Sequence, residues 1–148
     1  MSETPGNGWA AEALASLRLR GGRAGGARTA VIELLAKQEC CLGAQEIFDR
    51  LRSARHSVGL ASVYRALDQL SSEGFVQRIE LGDGTTRYEP IRADGDHHHH
   101  LVCDDCGKVE AFADERLERA LHRVENETGY RVAAHDVVLR GSCSECSD

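Results

Sequence analysis

The chain lacks any apolar run approaching the roughly 20 residues needed to cross a bilayer. Its opening, Met1 to Gly8, is polar and carries no basic-then-apolar signal pattern. Both absences lead us to expect a cytoplasmic protein with no membrane partner, where thiols stay reduced and paired cysteines more often hold metal than form disulfides. Two catalytic zinc signatures are also missing: His-Glu-x-x-His, and His-x-Glu followed by Pro-Cys-x-x-Cys. A catalytic zinc needs an open coordination position and a general base. An enzyme acting on a small organic substrate is therefore not expected. There is no internal repeat and no overall excess of positive charge.

The net charge of -6 argues against a nucleic-acid partner until it is divided. Residues 1–90 hold 11 Lys and Arg against 11 Asp and Glu, whereas residues 91–148 hold 7 against 13. All of the acidity thus falls in the C-terminal part, where carboxylates could serve metal. The N-terminal part keeps a basic cluster, Arg18, Arg20, Arg23 and Arg28, able to meet phosphates.

With 148 residues the chain has room for one ordinary domain or two small ones. Domains this small seldom bury enough apolar surface alone, so a two-domain reading calls for metal, disulfides or oligomerisation. Apolar spacing predicts helices over Ala10–Leu19, Ala27–Gln38, Ala44–Ser53 and Ala61–Ser72. In the last of these, Val63, Ala66, Leu67 and Leu70 form the inward stripe, leaving Ser62, Tyr64, Arg65, Asp68 and Gln69 outward. Gly74 ends that helix. Strand-like runs at Phe75–Leu81 and Thr85–Glu89 flank Gly82-Asp83-Gly84, a strong hairpin signal. Helices followed by a hairpin make the winged-helix pattern over residues 1–89, with residues 1–8 and the last two expected to be disordered. Residues 90–96 read as a hinge. Beyond them, over 97–148, we expect strands at His99–Cys103 and Lys108–Phe112, a helix at Asp114–Thr128 and a strand at Arg131–Arg140. The fold class is α+β: a winged helix-turn-helix domain, then an α/β dimerisation domain with a four-cysteine zinc site.

Cys103-Asp104-Asp105-Cys106 and Cys143-Ser144-Glu145-Cys146 carry the clearest chemistry. Two residues between cysteines form a tight knuckle that turns both sulfurs toward one point, and two knuckles complete a tetrahedral Zn–S₄ site. Gly107 suits the turn after the first pair. Disulfides or a redox pair would not account for two matching knuckles at opposite ends of one small domain. Zinc here would be structural, its binding energy largely folding energy.

His97-His98-His99-His100 precedes the first knuckle. In an extended segment alternate side chains face opposite ways. His97 and His99 would then serve one site and His98 and His100 another, unless the run is only a solvated stretch beside the hinge. His135, Glu118 and His122 are further candidate ligands that spacing alone does not join to the run. A lone strand histidine is more often a satisfied core residue.

The segment Val58-Gly59-Leu60-Ala61-Ser62-Val63-Tyr64-Arg65-Ala66-Leu67 resembles the recognition-helix signature of the ferric-uptake-regulator family. So do the histidine run with Leu101-Val102-Cys103-Asp104-Asp105-Cys106-Gly107-Lys108-Val109, and the closing cysteine pair. The resemblance covers roughly residues 18 to 146 in the family's order. It implies a metal-dependent repressor that binds double-stranded operator DNA as a homodimer. It also implies a structural zinc on Cys103, Cys106, Cys143 and Cys146, and a further site on His97, His99, Glu118 and His135. The interdomain regulatory site falls on Cys41, Glu89, His98 and His100, with Cys40 as the alternative to Cys41. Cys41 stands where many iron-sensing members have histidine. Thiolate suits zinc, whereas iron(II) or manganese(II) would more naturally take six harder ligands. We therefore expect a zinc-uptake-type regulator, with iron(II) or manganese(II) as the alternative regulatory ion and a zinc-buffering or interaction protein as the rival outside gene control. Two positions depart from the family pattern. The hinge offers Ala93 or Asp94 in place of a cysteine, and a carboxylate past the first knuckle is displaced to Glu110, with Ala111 at the aligned position. On the DNA side the resemblance points to Ser62, Tyr64 and Arg65 on the reading helix, to Arg18, Arg20, Arg23 and Arg28 near phosphates, and more weakly to Arg87 on the wing.

Overall fold

The computed structural model describes residues 6–19, 25–38, 40–92 and 97–147. Arg20, Arg23, Ala93 and Asp94 lie outside them. The chain forms two compact units, residues 1–96 and 97–148.

The first unit begins with α1 (Gly6–Leu19) and α2 (Gly26–Ala36), followed by the two-residue strand β1 (Leu42–Gly43), α3 (Ala44–Ser53) and α4 (Leu60–Ser72). The hairpin β2 (Val76–Glu80) and β3 (Thr86–Pro90) completes it. The helices lie where apolar spacing put them, except that α1 starts at Gly6, so residues 6–8 form its first turn. Its core is one cluster. Leu17 of α1, Val31, Ile32 and Leu35 of α2, Ile47 and Leu51 of α3, and Val63, Leu67 and Leu70 of α4 are all buried. Burying each such side chain contributes about 1.5–3 kcal/mol. Trp9 adds a tether, its indole Nε1 donating to the Phe75 carbonyl at 3.0 Å. Gly74, at φ +79, takes the left-handed turn that ends α4 and feeds the hairpin.

The hairpin reverses at Gly82 and Gly84, both with positive φ, and Asp83 Oδ1 accepts the Thr85 amide at 3.1 Å. β1 adds to the far side of β3, giving an antiparallel sheet in the order β1-β3-β2. This short strand was not anticipated from the sequence. Its register places Leu42 opposite Tyr88 and Gly43 opposite Arg87. Arg87 is itself buried and ion-paired to Asp83 at 2.7 Å, which corrects its assignment as a wing contact for DNA.

The second unit holds β4 (His99–Cys103), β5 (Val109–Phe112), α5 (Glu115–Thr128) and β6 (Val138–Gly141). β5 pairs antiparallel and β6 parallel to β4, in the order β5-β4-β6. Helix α5 is capped at both ends. Asp114 Oδ1 accepts the amides of Arg116 and Leu117 at 2.8 and 3.0 Å, and Gly129 closes it at φ +73. No residue of α5 is buried within this chain. The last strand begins at Val138, not at Arg131: residues 130–137 run as an irregular, mostly exposed connection, so His135 precedes the strand. Ser147, expected to be disordered, donates its amide to the Cys143 carbonyl at 2.8 Å.

Candidate metal centres and nucleic-acid interface

The four cysteines of the second unit converge because two turns meet. One follows β4 and one follows β6, neighbours in the parallel pair, with Cys103 opposite Gly141 in register. Gly107, at φ +75, lets the first knuckle close, and its amide reaches the Cys103 carbonyl at 3.0 Å. The second knuckle closes through the Cys146 amide on the Cys143 carbonyl at 2.9 Å. All four sulfurs lie within 4.8 Å of one another. A tetrahedral ion with Zn–S near 2.3 Å sets its sulfurs about 3.8 Å apart. Cys106 and Cys143 stand at 3.8 Å, so the set fits zinc.

The sulfurs also differ electrically. The Cys143 amide donates to Cys103 Sγ at 3.2 Å, and with further backbone N–H groups from the knuckle it pulls the Cys103 thiol down to about 6. Neighbouring sulfurs push Cys146 up to about 12, and Cys106 is raised as well. Negative charges crowded this closely need a cation among them.

The second cluster is built by the alternation of the histidine run that leads into β4. The rings of His97 and His99 lie 4.7 Å apart, and those of His98 and His100 lie 4.9 Å apart. Glu118, from the first turn of α5, reaches the His97–His99 pair. His99 Nε2 stands 2.5 Å from Glu118 Oε1, and His97 Nε2 stands 3.6 Å from the same oxygen. His135 Nε2 is 2.8 Å from Glu118 Oε2 and 3.0 Å from His97 Nε2. Bonds to His99 and His135, with the charge of any protonated ring, hold the Glu118 carboxyl below its ordinary range. The four ligand atoms fall within 4.8 Å, a span that one ion with nitrogen and oxygen ligands can bridge. The Val137 amide donates to His99 Nδ1 at 3.2 Å. Ligation through Nε2 would leave a neutral ring's proton on Nδ1 and forfeit that bond.

Two other candidates stay outside this cluster. His122 is exposed beside Glu125, and Glu110 pairs with Lys108 at 3.1 Å. The strand register sets Glu110 opposite Leu101, while Ala111 faces His100.

The remaining expected ligands are divided between the units. Cys41 and Glu89 belong to the first, His98 and His100 to the second. Cys41 is buried just before β1, and its thiol is pushed well above the ordinary range by its contact with Cys40, by burial and by the charge of Glu89. Glu89 is buried on β3, where Gln77 Nε2 donates to Oε1 at 2.5 Å.

Helix α4 presents the outward face expected of it. Tyr64 is 46% exposed, Arg65 is exposed with its guanidinium donating to Ser62 Oγ at 3.0 Å, and Asp68 and Gln69 share the same side. Arg18 is exposed at the end of α1 and Arg28 is half-buried on α2.

A winged helix-turn-helix in one chain with cysteine and histidine clusters of cation size is the architecture of a metal-responsive transcription regulator. The chain belongs to the ferric uptake regulator family, whose profile, described as "Ferric uptake regulator family", matches residues 20–140. It is 33% identical to the ferric uptake regulation protein of Neisseria gonorrhoeae over 134 residues, 90% of this chain and 92% of that one. Among solved structures it is similar to the Vibrio cholerae ferric uptake regulator, at 31% identity and a TM-score of 0.75 over 86% of this chain and 97% of that one. The Helicobacter pylori regulator, described as having three functional metal-binding sites, superposes with a TM-score of 0.80 at 27% identity over 99% and 97%. Among the described residues no helix is long and apolar enough to cross a membrane.

Proposed function

We propose that the protein is a metal-dependent repressor that grips operator DNA as a homodimer when a regulatory ion is bound and releases it when the ion is lost. In this reading Cys103, Cys106, Cys143 and Cys146 hold a structural zinc. Cys41, Glu89, His98 and His100 hold the regulatory ion, and His97, His99, Glu118 and His135 hold a further one. Three sites also agree in number with those described for the Helicobacter pylori relative. The single observation that carries the reading is the pair of ligand sets in the second unit, each gathered to the size of one ion.

Homodimerisation is supported by the face that the second unit leaves uncovered. Val124 on α5 is 55% exposed, Tyr130 76% and Leu139 51%, in a unit whose helix has no fully covered residue within this chain. Such a surface suits a second copy of the chain.

On the DNA side α4 enters the major groove with Ser62, Tyr64 and Arg65 toward base edges, and α3 crosses the backbone. The Tyr64 ring can press on thymine methyls and Arg65 can donate to guanine or phosphate. Arg18, Arg20, Arg23 and Arg28 supply positive charge for phosphates. An ion that takes ligands from both units restricts their relative orientation, and so the placing of the two reading helices in a dimer. It favours the DNA-competent arrangement only as far as it binds that arrangement more tightly.

We assign zinc as the regulatory ion because the buried Cys41 thiol supplies a soft ligand. Iron(II) is the second reading, favoured by the ferric-uptake names of the relatives. The test is operator retardation under strict metal buffering with zinc, iron(II), manganese(II) and nickel(II). Zinc alone should restore full retardation at the lowest free concentration. Retardation indifferent to every metal would refute the repressor, and a lower threshold for iron(II) would reassign the ion.

A further inference from the structure

The proposed function uses one thiol of the first unit, yet two stand together there. Neighbouring side chains diverge in an extended strand. At Cys40 the chain bends instead, and the Cys40 and Cys41 sulfurs come within 3.7 Å of each other. The approach is set from both sides. Arg92 donates to the carbonyls of Ala36 and Gln38 at 3.4 and 3.0 Å, and Arg50 donates to the Gln38 side chain at 3.0 Å. These bonds fix the end of α2 just before the pair. Directly after it, β1 pairs with β3, Leu42 opposite Tyr88 and Gly43 opposite Arg87. Continuing that antiparallel register by one step sets Cys41 opposite Glu89.

We propose that Cys40 and Cys41 grip the regulatory ion together as a two-sulfur pincer, which makes the site selective for a thiophilic cation of the zinc kind. This rests on the reading of Cys41 as a regulatory ligand and extends it to Cys40 and to the class of ion. An ion 2.3 Å from both sulfurs would see them at an angle of about 107°, close to the tetrahedral value. Their 3.7 Å separation also nearly equals the 3.8 Å between Cys106 and Cys143 in the four-cysteine cluster. An ion on Cys41 alone would leave the Cys40 sulfur within ligand reach and unused. Two thiolates alone balance the charge of a divalent ion, and sulfur ligands favour zinc over manganese(II) or iron(II), which prefer nitrogen and oxygen.

The test uses the full-length protein with its four-cysteine site already filled with zinc, titrated with cobalt(II) and read by the near-ultraviolet thiolate-to-cobalt charge-transfer band. The band's intensity scales with the number of thiolates on the ion. Cys40→Ala, at a half-buried position, should halve it, weaken zinc binding at this site tenfold or more, and lower the preference for zinc over manganese(II), while the melting temperature of the zinc-filled protein stays unchanged. Cys41→Ala should also remove at least half of the band. A Cys40→Ala protein with the full band and unchanged zinc affinity would overturn the pincer, leaving Cys41 as the single thiolate if its own variant abolishes the band. If neither variant alters the band, the assignment of Cys41 falls as well.

Discussion

Removing the ion from the four-cysteine cluster should unfold the second unit while the first stays intact. Residues 97–148 form a compact unit whose buried side chains, among the described residues, are His99, His100, Val102 and Cys103. Its helix is 14 residues long, and Leu117, Ala120 and Leu121 are only half-buried within this chain. A helix of that length is marginal in water without tertiary support. Ordering each residue costs about 1–2 kcal/mol of backbone entropy, and so small a core cannot offset that cost. A structural zinc contributes about 10–16 kcal/mol at neutral pH, as much as or more than the ~5–15 kcal/mol net stability of an ordinary domain. Stripping it from reduced protein with a strong chelator should therefore remove the α5 signal entirely. Far-ultraviolet circular dichroism should lose roughly a fifth to a quarter of its helical intensity, since α1 to α4 belong to the other unit. Amide exchange should show α5 unprotected while Ile32, Ile47 and Leu67 stay protected. Zinc-free protein that keeps α5 protected and melts as before would refute the reasoning.

Tyr64→Ala and Arg65→Ala should each weaken operator binding by about 1–3 kcal/mol in a titrated gel shift, with melting and metal content unchanged because both side chains are exposed. Val124→Asp should dissociate the dimer in analytical ultracentrifugation without altering the first unit's melting transition; a persistent dimer would remove the α5 face from the interface. Asp83→Asn tests the wing by pH. The Arg87 guanidinium holds the Asp83 carboxyl below its ordinary range, so the pair stabilises the fold above the unfolded value near 3.9, and that stability is lost as pH falls through the lower folded value. The substitution should lower the first unit's melting temperature at pH 7, and the gap to native protein should close below about pH 4.

Much of this architecture was legible because it is periodic. Val63, Ala66, Leu67 and Leu70 announce an inward stripe at helical spacing, and they are buried as a row. Asp83 between two glycines announces the hairpin. The failures came where structure depends on a partner and not on a pattern. β1 is two residues long and exists only because β3 offers it an edge. The stretch from Arg131 to Val137 has strand-like composition, but pairing with β4 begins only at Val138. Arg87 looked like a free cation on the wing because nothing in its spacing reveals that Asp83 lies across the turn. The convergence of His135 and Glu118 on His97 and His99 was likewise invisible in spacing and entered only through the family resemblance.

The charge division of the chain takes on a physical sense in this light. The C-terminal acidity does not lie uniformly on the surface. Glu118 faces three imidazoles, and Asp104 is tied to Arg140 across the β4–β6 pair, close to the first knuckle. On the reading proposed above, the two kinds of ligand set would divide the labour. Four sulfurs around one zinc would leave no open position and no weak ligand, so that ion would behave as part of the fold. The histidine and carboxylate set, part-exposed at His135 and Glu118, has harder ligands and more open access, so its ion would exchange more readily. A unit that keeps its shape through the four-sulfur ion can lose and regain the second ion reversibly, which leaves Cys41, Glu89, His98 and His100 to carry the signal.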